Sequence, residues 1–402
     1  MKVAIIGQGY VGLPIALIAA ESGYSVVGFD LNPDIVSNLN SGISHIEDIS
    51  NEKLKNHLNN GSYKATIKPE DLNRADIAVI AVPTPLDNMR NPDLTYIESA
   101  CLLLAQNLTK ETLIINESTS YPGTLRNVIA PLVNSNTDIN HSFAISPERV
   151  DPGNSKWGIK NTPRLFAGLT PEASAKASDF YRTFCDNIIQ VTSPEVAETA
   201  KLFENTFRQV NIALVNELAI ICSKLGIDVH EVLDAADSKP YGFMKFVPGI
   251  GVGGHCIPVD PSYLAFAASK AGAKARFIQM ANEVNLSMPS ELILRIKKDN
   301  GGNLRGKKVV VIGISYKPNI SDIRESPSLV LISLLRDEGA LVSWHDPLVA
   351  EWNSEESCNL ADQTFEIGVV TIIHDVMDKP ALLESANYVI DCTGKIDGTI
   401  KF

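Results

Sequence analysis

The chain has 402 residues, 45% hydrophobic and 20% charged, with a net charge of −12. That length exceeds one compact core and points to two or three domains. The acidic balance argues against a nucleic-acid partner, and with no apolar run of roughly eighteen residues no membrane span is expected.

Lys2–Ile6 (KVAII) reads as a buried parallel strand. It is followed by Gly7-Gln8-Gly9-Tyr10-Val11-Gly12, a helical LPIALIAAES, a second strand Ser25–Phe29 and then Asp30. Strand, glycine turn, helix, strand and acid make a complete βαβ unit. Gly7 allows the tight turn, Gly9 lets a pyrophosphate approach backbone, and Gly12 lets helix and strand pack closely. The helix dipole then meets the phosphate charge. Asp30 would accept hydrogen bonds from a ribose. Leu31 and Asn32 offer no cation for a 2′-phosphate, so NAD is favoured over NADP. A βαβ unit that binds no dinucleotide is the bland alternative.

Further strands are expected at Ile77–Val82, Thr112–Asn116 and Ser142–Ile145, giving a doubly wound sheet to about residue 190. Val82-Pro83-Thr84-Pro85 and Glu117–Thr124 (ESTSYPGT) each end a strand, where ligand crevices open. A proline-rich turn and a helix start explain them equally well. From Ser193-Pro194 a helical period runs for roughly thirty residues, about 45 Å. It places Lys201, Glu204, Asn205 and Arg208 on one face; a solvated charged stripe would look the same. After Arg305–Lys308, the strand Val309–Ile312, a helix capped at Ser326, and strands in LVSWHD and YVIDCTG outline a second α/β domain. The expected fold is therefore α/β, with two Rossmann-like doubly wound parallel sheets joined by a helical segment containing one long helix. The expected divisions are residues 1–192, 193–295 and 296–402. A cleft between two such domains commonly holds ligands.

The six cysteines stand far apart, with no C-x-x-C, which argues against disulfides and a zinc knuckle and for a reduced cytoplasmic setting. The N-terminus lacks a basic lead and cleavage site, which argues against a signal peptide. Cys256 differs from the rest. Gly251, Gly253 and Gly254 precede it and Pro258 and Asp260-Pro261 follow, suggesting a helix start that would favour thiolate. A buried inert thiol is the ordinary alternative. His255 points away from its neighbour on an extended chain, and no partner stands at metal-ligand spacing, so no metal is expected.

Seven blocks in order, GQGYVGLP, AVPTP, ESTSYPGT, SPER, KLFENTFR, GVGGHCIPVD and SYKPNISDIRESP, make the chain similar to the UDP-glucose/GDP-mannose dehydrogenase family, the nucleotide-sugar 6-dehydrogenases. The resemblance implies an N-terminal NAD domain, a long central helix that forms a homodimer, and a C-terminal domain that closes over the sugar nucleotide. It implies that Cys256 is the nucleophile, that Lys201 and Asn205 stabilise oxyanions, and that Asp260 organises water and proton transfer. Thr119 would hold a water and Glu148 would act as acid/base. NAD would lie against Gly7, Gly9, Tyr10, Val11, Gly12, Asp30, Val82, Pro83, Thr84, Thr119 and Arg324. The sugar nucleotide would meet Glu148, Arg149, Val150, Lys201, Asn205, Arg208, Phe246, Gly249, Gly253 and Lys317.

The implied reaction is a four-electron oxidation of a sugar C6 alcohol to the acid through a thiohemiacetal and a thioester on Cys256. His255, Val259, SPERVDPGN and KLFENTFRQVNIALVNELA resemble the N-acetylhexosamine branch, UDP-N-acetylglucosamine first and UDP-N-acetylmannosamine next. UDP-N-acetylgalactosamine and UDP-glucose are the remaining alternatives. A two-electron hydroxyacid-type dehydrogenase would need neither Cys256 nor a second α/β domain, and would yield one NADH per substrate rather than two.

Overall fold

The computed structural model describes residues 1–402 apart from Asn88, Pro152, Gly153, Ser155, His255 and Cys256. The chain forms two compact units: Met1–Glu204 with Ser262–Ala273, and Asn205–Pro261 with Lys274–Phe402. Two of the three boundaries fall inside helices, Pro194–Leu225 and Asp260–Lys270, and the third falls between Lys270 and the helix that begins at Arg276.

The first unit is built on eight strands: β1 (Lys2–Ile6), β2 (Ser25–Phe29), β3 (Tyr63–Thr66), β4 (Ile77–Ile80), β5 (Leu113–Asn116), β6 (Ser142–Ile145), β7 (Arg164–Gly168) and β8 (Ile188–Gln190). Their order is β3-β2-β1-β4-β5-β6-β7-β8. The direction of progression reverses between β1 and β4, the switch point at which ligands bind in doubly wound sheets. Every pair is parallel except β6 with β7, which run antiparallel (Ala144↔Gly168, Ile145↔Ala167). β1 alternates between two cores: Val3 and Ile5 face one apolar layer, Ala4 and Ile6 the other. Burial on both faces is why such strands read as continuous apolar runs. Each fully buried aliphatic side chain contributes about 1.5–3 kcal/mol.

Two strands stop short of their expected limits because side chains intercept the ladder. The Val82 N–H donates to Ser118 Oγ at 2.8 Å, so β4 ends at Ile80. The Thr112 N–H donates to His141 Nδ1 at 3.2 Å, so β5 begins at Leu113.

The second unit carries a parallel sheet of β9 (Lys308–Ile312), β10 (Leu341–His345), β13 (Phe365–Val370), β14 (Ala386–Asp391) and β15 (Ile400–Lys401), in the order β10-β9-β13-β14-β15. A hairpin, β11 (Glu351–Trp352) with β12 (Glu355–Glu356), stands apart. Ser326 caps the helix Pro327–Asp337 as expected, its hydroxyl accepting from the Ser328 N–H at 3.3 Å. The helix Arg276–Asp299 is joined to the long helix by a polar seam. Asn216 Nδ2 donates to Asn285 Oδ1 at 2.9 Å, and Asn285 Nδ2 to the Gln209 carbonyl at 3.3 Å.

Candidate active site

At the carboxyl ends of β1 and β2 the glycine turn takes the shape its sequence requires. Gly7 has φ +92°, and a Cβ there would lie 2.3 Å from the Ala81 carbonyl oxygen. A Cβ on Gly12, where the first helix begins, would lie 1.9 Å from the Gly7 carbonyl oxygen. A Cβ on Gly9 meets nothing within 4 Å. Two glycines are therefore required by packing, and the open side at the third is what a dinucleotide phosphate needs. Tyr10 donates to Glu47 at 3.1 Å.

Asp30 accepts from the Gln8 N–H through Oδ2 and from the Asn32 N–H through Oδ1, both at 2.9 Å, so its carboxylate is oriented before any ribose arrives. Gln8 is wholly buried. Its amide donates to the Gly7 and Ile5 carbonyls, and its Oε1 accepts from Tyr63 Oη at 2.8 Å. The room for that amide comes from Gly28, where a Cβ would lie 2.2 Å from Gln8 Oε1. This supporting pair was not foreseen, because Tyr63 lies on a strand that no sequence pattern announced.

The ends of β4 and β5 are stitched together by Ser118, whose hydroxyl also donates to the Val82 carbonyl at 2.9 Å. Pro83 is exposed, Val82 half-buried and Thr84 buried. In the run Glu117–Ser120, Thr119 alone is not buried.

Beneath these loops lies a charged network that sequence reasoning missed. Arg164, on β7, donates to Glu117 Oε2 at 2.9 Å, to Ser146 Oγ at 3.2 Å and to Glu148 Oε2 at 2.6 Å. Tyr181 donates to Glu117 Oε1 at 2.6 Å. Glu148 Oε1 accepts from the Arg149 and Val150 N–H groups, each at 2.7 Å. Burial pushes the Glu148 carboxyl up, but Arg164 and the two backbone amides outweigh it and hold the group below the usual range. Glu117 is pushed up to about 7, chiefly by burial, with Arg164 opposing. Arg149 forms a two-point pair with Glu204 at 2.7 and 3.1 Å and donates to the Pro163 carbonyl at 2.7 Å.

Along the start of the long helix, Glu195, Glu198, Lys201 and Glu204 recur at three-residue steps, so each lies beside the next. Glu195 pairs with Arg126 at 2.7 Å. Glu198 accepts from Gly123 N–H at 2.6 Å, Leu125 N–H at 3.1 Å and Ser120 Oγ at 3.2 Å. Lys201 thus stands between two carboxylates that each hold a motif loop. The spacing was visible in the sequence; the partners were not.

In the second unit, Asn205 Nδ2 donates to Asp260 Oδ2 at 2.5 Å, bringing two expected site residues together, and Asp260 is wholly buried. The loop from Phe246 is anchored to the long helix. The Gly249 N–H donates to Asn216 Oδ1 at 2.9 Å, and the Phe246 ring lies 5.9 Å from Phe207. A Cβ on Gly253 would lie 2.8 Å from Tyr316 Cβ, and the Gly254 N–H donates to the Arg324 carbonyl at 3.0 Å. The close backbone approach anticipated for a ligand is, within this unit, made to protein. Arg208 is exposed. The Arg324 guanidinium grips Asp322 at 2.6–3.0 Å. Cys256 and His255, the expected nucleophile and its neighbour, lie outside the described residues.

Lys317 follows β9, next to the switch between β9 and β13. Its loop rests on Asp346, which accepts from the N–H groups of Ile314, Ser315, Leu348 and Val349 at 2.8–3.2 Å. His374 Nε2 lies 3.2 Å from the same carboxylate, and His374 Nδ1 accepts from the Asn319 N–H at 2.8 Å. Among the described residues no group of three or more His, Cys, Asp and Glu could hold a metal ion, and no helix is long and apolar enough to cross a membrane.

Comparison with known proteins agrees with this geometry. Residues 1–185 match the NAD binding domain of the UDP-glucose/GDP-mannose dehydrogenase family, 195–287 its central domain and 310–397 its UDP binding domain. The chain is 36% identical over 356 residues to a UDP-N-acetyl-D-mannosamine dehydrogenase of Pyrococcus horikoshii, covering 87% of this chain and 84% of that one. It is 34% identical over 358 residues to a UDP-N-acetyl-D-glucosamine 6-dehydrogenase of Pseudomonas aeruginosa, covering 87% and 83%. The solved structure of UDP-D-ManNAc dehydrogenase from Pyrococcus horikoshii superposes with a TM-score of 0.90 at 32% identity, over 100% of this chain and 98% of that one. A glycine turn with an open phosphate side, an oriented ribose acid and matches to all three domains make the chain an NAD-binding member of the UDP-glucose/GDP-mannose dehydrogenase family.

Proposed function

We propose that the protein oxidises the C6 alcohol of a UDP-N-acetylhexosamine to the uronic acid, in the cytoplasm, for bacterial surface polysaccharide. The observation that carries this reading is the match to all three family domains in order, NAD-binding, central and UDP-binding. The sequence motifs favoured UDP-N-acetylglucosamine. Relatives named for UDP-N-acetylmannosamine, at 36% and 38% identity in Pyrococcus horikoshii and Campylobacter jejuni, move that sugar to first place. The N-acetylglucosamine epimer stands second, then UDP-N-acetylgalactosamine and UDP-glucose.

Bound NAD supplies the hydride acceptor for each of two oxidations. In the proposed course the alcohol loses a hydride and a proton to give the aldehyde. The Cys256 sulfur then adds to the aldehyde carbon, making a tetrahedral thiohemiacetal that still carries a hydrogen. Loss of that hydrogen as hydride, with the hydroxyl proton, leaves a thioester, and water releases the acid and the thiol. Lys201 and Asn205 donate to the oxygen that becomes negative, a contribution typically worth about 10²–10³ in rate per donor. Glu148, held as an anion by Arg164, is suited to accept a proton from water, while Thr119 and Asp260 keep the water-holding and proton-organising roles that the motif resemblance implies. A homodimer is part of the reading. Phe207, Leu214 and Ile221, seven residues apart on the long helix, are 41–61% exposed. Such spacing makes a seam for a second helix.

The test is NADH absorbance with a panel of UDP-sugars. Two NADH per UDP-N-acetylmannosamine, and acid formation lost in Cys256→Ser with NAD binding kept, are expected. One NADH per sugar, or normal acid output from Cys256→Ser, would overturn the reading.

A further inference from the structure

We infer that Glu198 is a positioning residue of the active centre, its carboxylate fastening the turn that carries Thr119 to the helix that carries Lys201. The inference rests on the reading above, in which those two residues act on substrate and water.

Glu198 is 1% exposed and lies one helical turn before Lys201. All three of its donors, Ser120 Oγ, the Gly123 N–H and the Leu125 N–H, belong to the turn that follows Thr119. The residue before Thr119 is pinned as well: Ser118 bridges the Val82 N–H and carbonyl, and Asn116 Nδ2 donates to the Ser118 carbonyl at 3.0 Å and to Ser120 Oγ at 3.3 Å. The backbone is thus held on both sides of Thr119. Glu198 ties that backbone to the helix through three hydrogen bonds.

Packing alone does not explain the residue type. A buried carboxylate is costly, and an apolar side chain of similar size fills the same space more cheaply. A carboxylate does what neither an apolar group nor an amide can: it accepts from three donors at once, whereas a glutamine would turn an N–H₂ toward one of them. Glu195, three residues earlier on the same face, supplies the contrast. Its pair with Arg126, one residue beyond Leu125, is partly exposed and is made to a side chain rather than to the backbone that follows Thr119.

The experiment compares Glu198→Gln, Glu198→Asp, Glu195→Gln and Lys201→Ala in steady-state NADH formation with the UDP-sugar that the panel selects. Rates are scaled to folded enzyme by circular dichroism. Glu198→Gln is expected to lower kcat by about 10–100-fold with the sugar-nucleotide KM within threefold of the parent. Glu198→Asp should recover part of that loss, and Glu195→Gln should stay within twofold. If Glu198→Gln keeps kcat within threefold while Lys201→Ala is inactive, the positioning role fails and the reading of the site survives. An active Lys201→Ala would sink both.

Discussion

Arg164 donates to Glu148 at 2.6 Å from a site where the arginine side chain is 4% exposed and the glutamate 12%. The same guanidinium also neutralises Glu117. Breaking a buried pair from one side strands the other charge, which typically costs about 3–5 kcal/mol. Arg164→Met, which strands two carboxylates, should lose at least that much in urea unfolding. A loss under about 1 kcal/mol would mean the network is not needed for the fold.

Glu198 predicts a pH slope. Burial, opposed by its hydrogen bonds to Gly123, Leu125 and Ser120, pushes its carboxyl up to about 7 from its ordinary 4.5. Between those values the folded chain keeps a proton that the unfolded chain has released. This contribution is therefore fully present below pH 4.5 and is lost as pH rises through 7. The span corresponds to roughly 3 kcal/mol. Urea unfolding at pH 5 and pH 7.5 should show a shallower decline in Glu198→Gln than in the parent, and equal slopes would remove the assignment.

The glycine turn separates packing from ligand binding. Gly9→Ala meets no protein atom, so its melting temperature should match the parent while NAD binding, followed by fluorescence titration, weakens at least tenfold. Gly12→Ala drives a methyl into the Gly7 carbonyl and should cost about 1–3 kcal/mol or more in stability. Reversed outcomes would show that the turn is shaped for something other than a phosphate.

Asp346 holds four backbone N–H groups and His374 beneath the Lys317 loop. Asp346→Ala leaves buried donors unpaired, at about 1–3 kcal/mol each. Calorimetric titration should show UDP affinity falling at least tenfold while NAD affinity stays within twofold. Loss of both together would point to general unfolding instead.

The long helix offers the assembly test. Leu214→Glu combined with Ile221→Glu should shift the mass measured by light scattering from two chains to one, without loss of helical circular dichroism. An unchanged mass would remove the proposed seam.

Local pattern carried much of this protein. The βαβ opening was legible because strand, turn and helix each leave a short-range mark, and the three glycines take their separate places as their spacing implied. The long helix was legible from its period. β3 was not, because Tyr63–Thr66 is four residues with an exposed lysine among them. Nor was the antiparallel turn of the sheet at β7, since pairing direction is decided by where the chain returns.

Chemistry divided in the same way. Residue types such as Asp30, Lys201 and Asn205 announced themselves within motifs whose order along the chain identified the family. Arg164 and Glu198 did not, because neither has a function until folding brings residues 117, 148 and 181 around one and residues 120, 123 and 125 around the other. Sequence by itself determined which local shapes and reactive groups exist, since these depend on neighbours a few residues away. Tertiary structure alone decided which buried charges meet, because a charge removed from water takes its character from whatever partner the fold delivers to it.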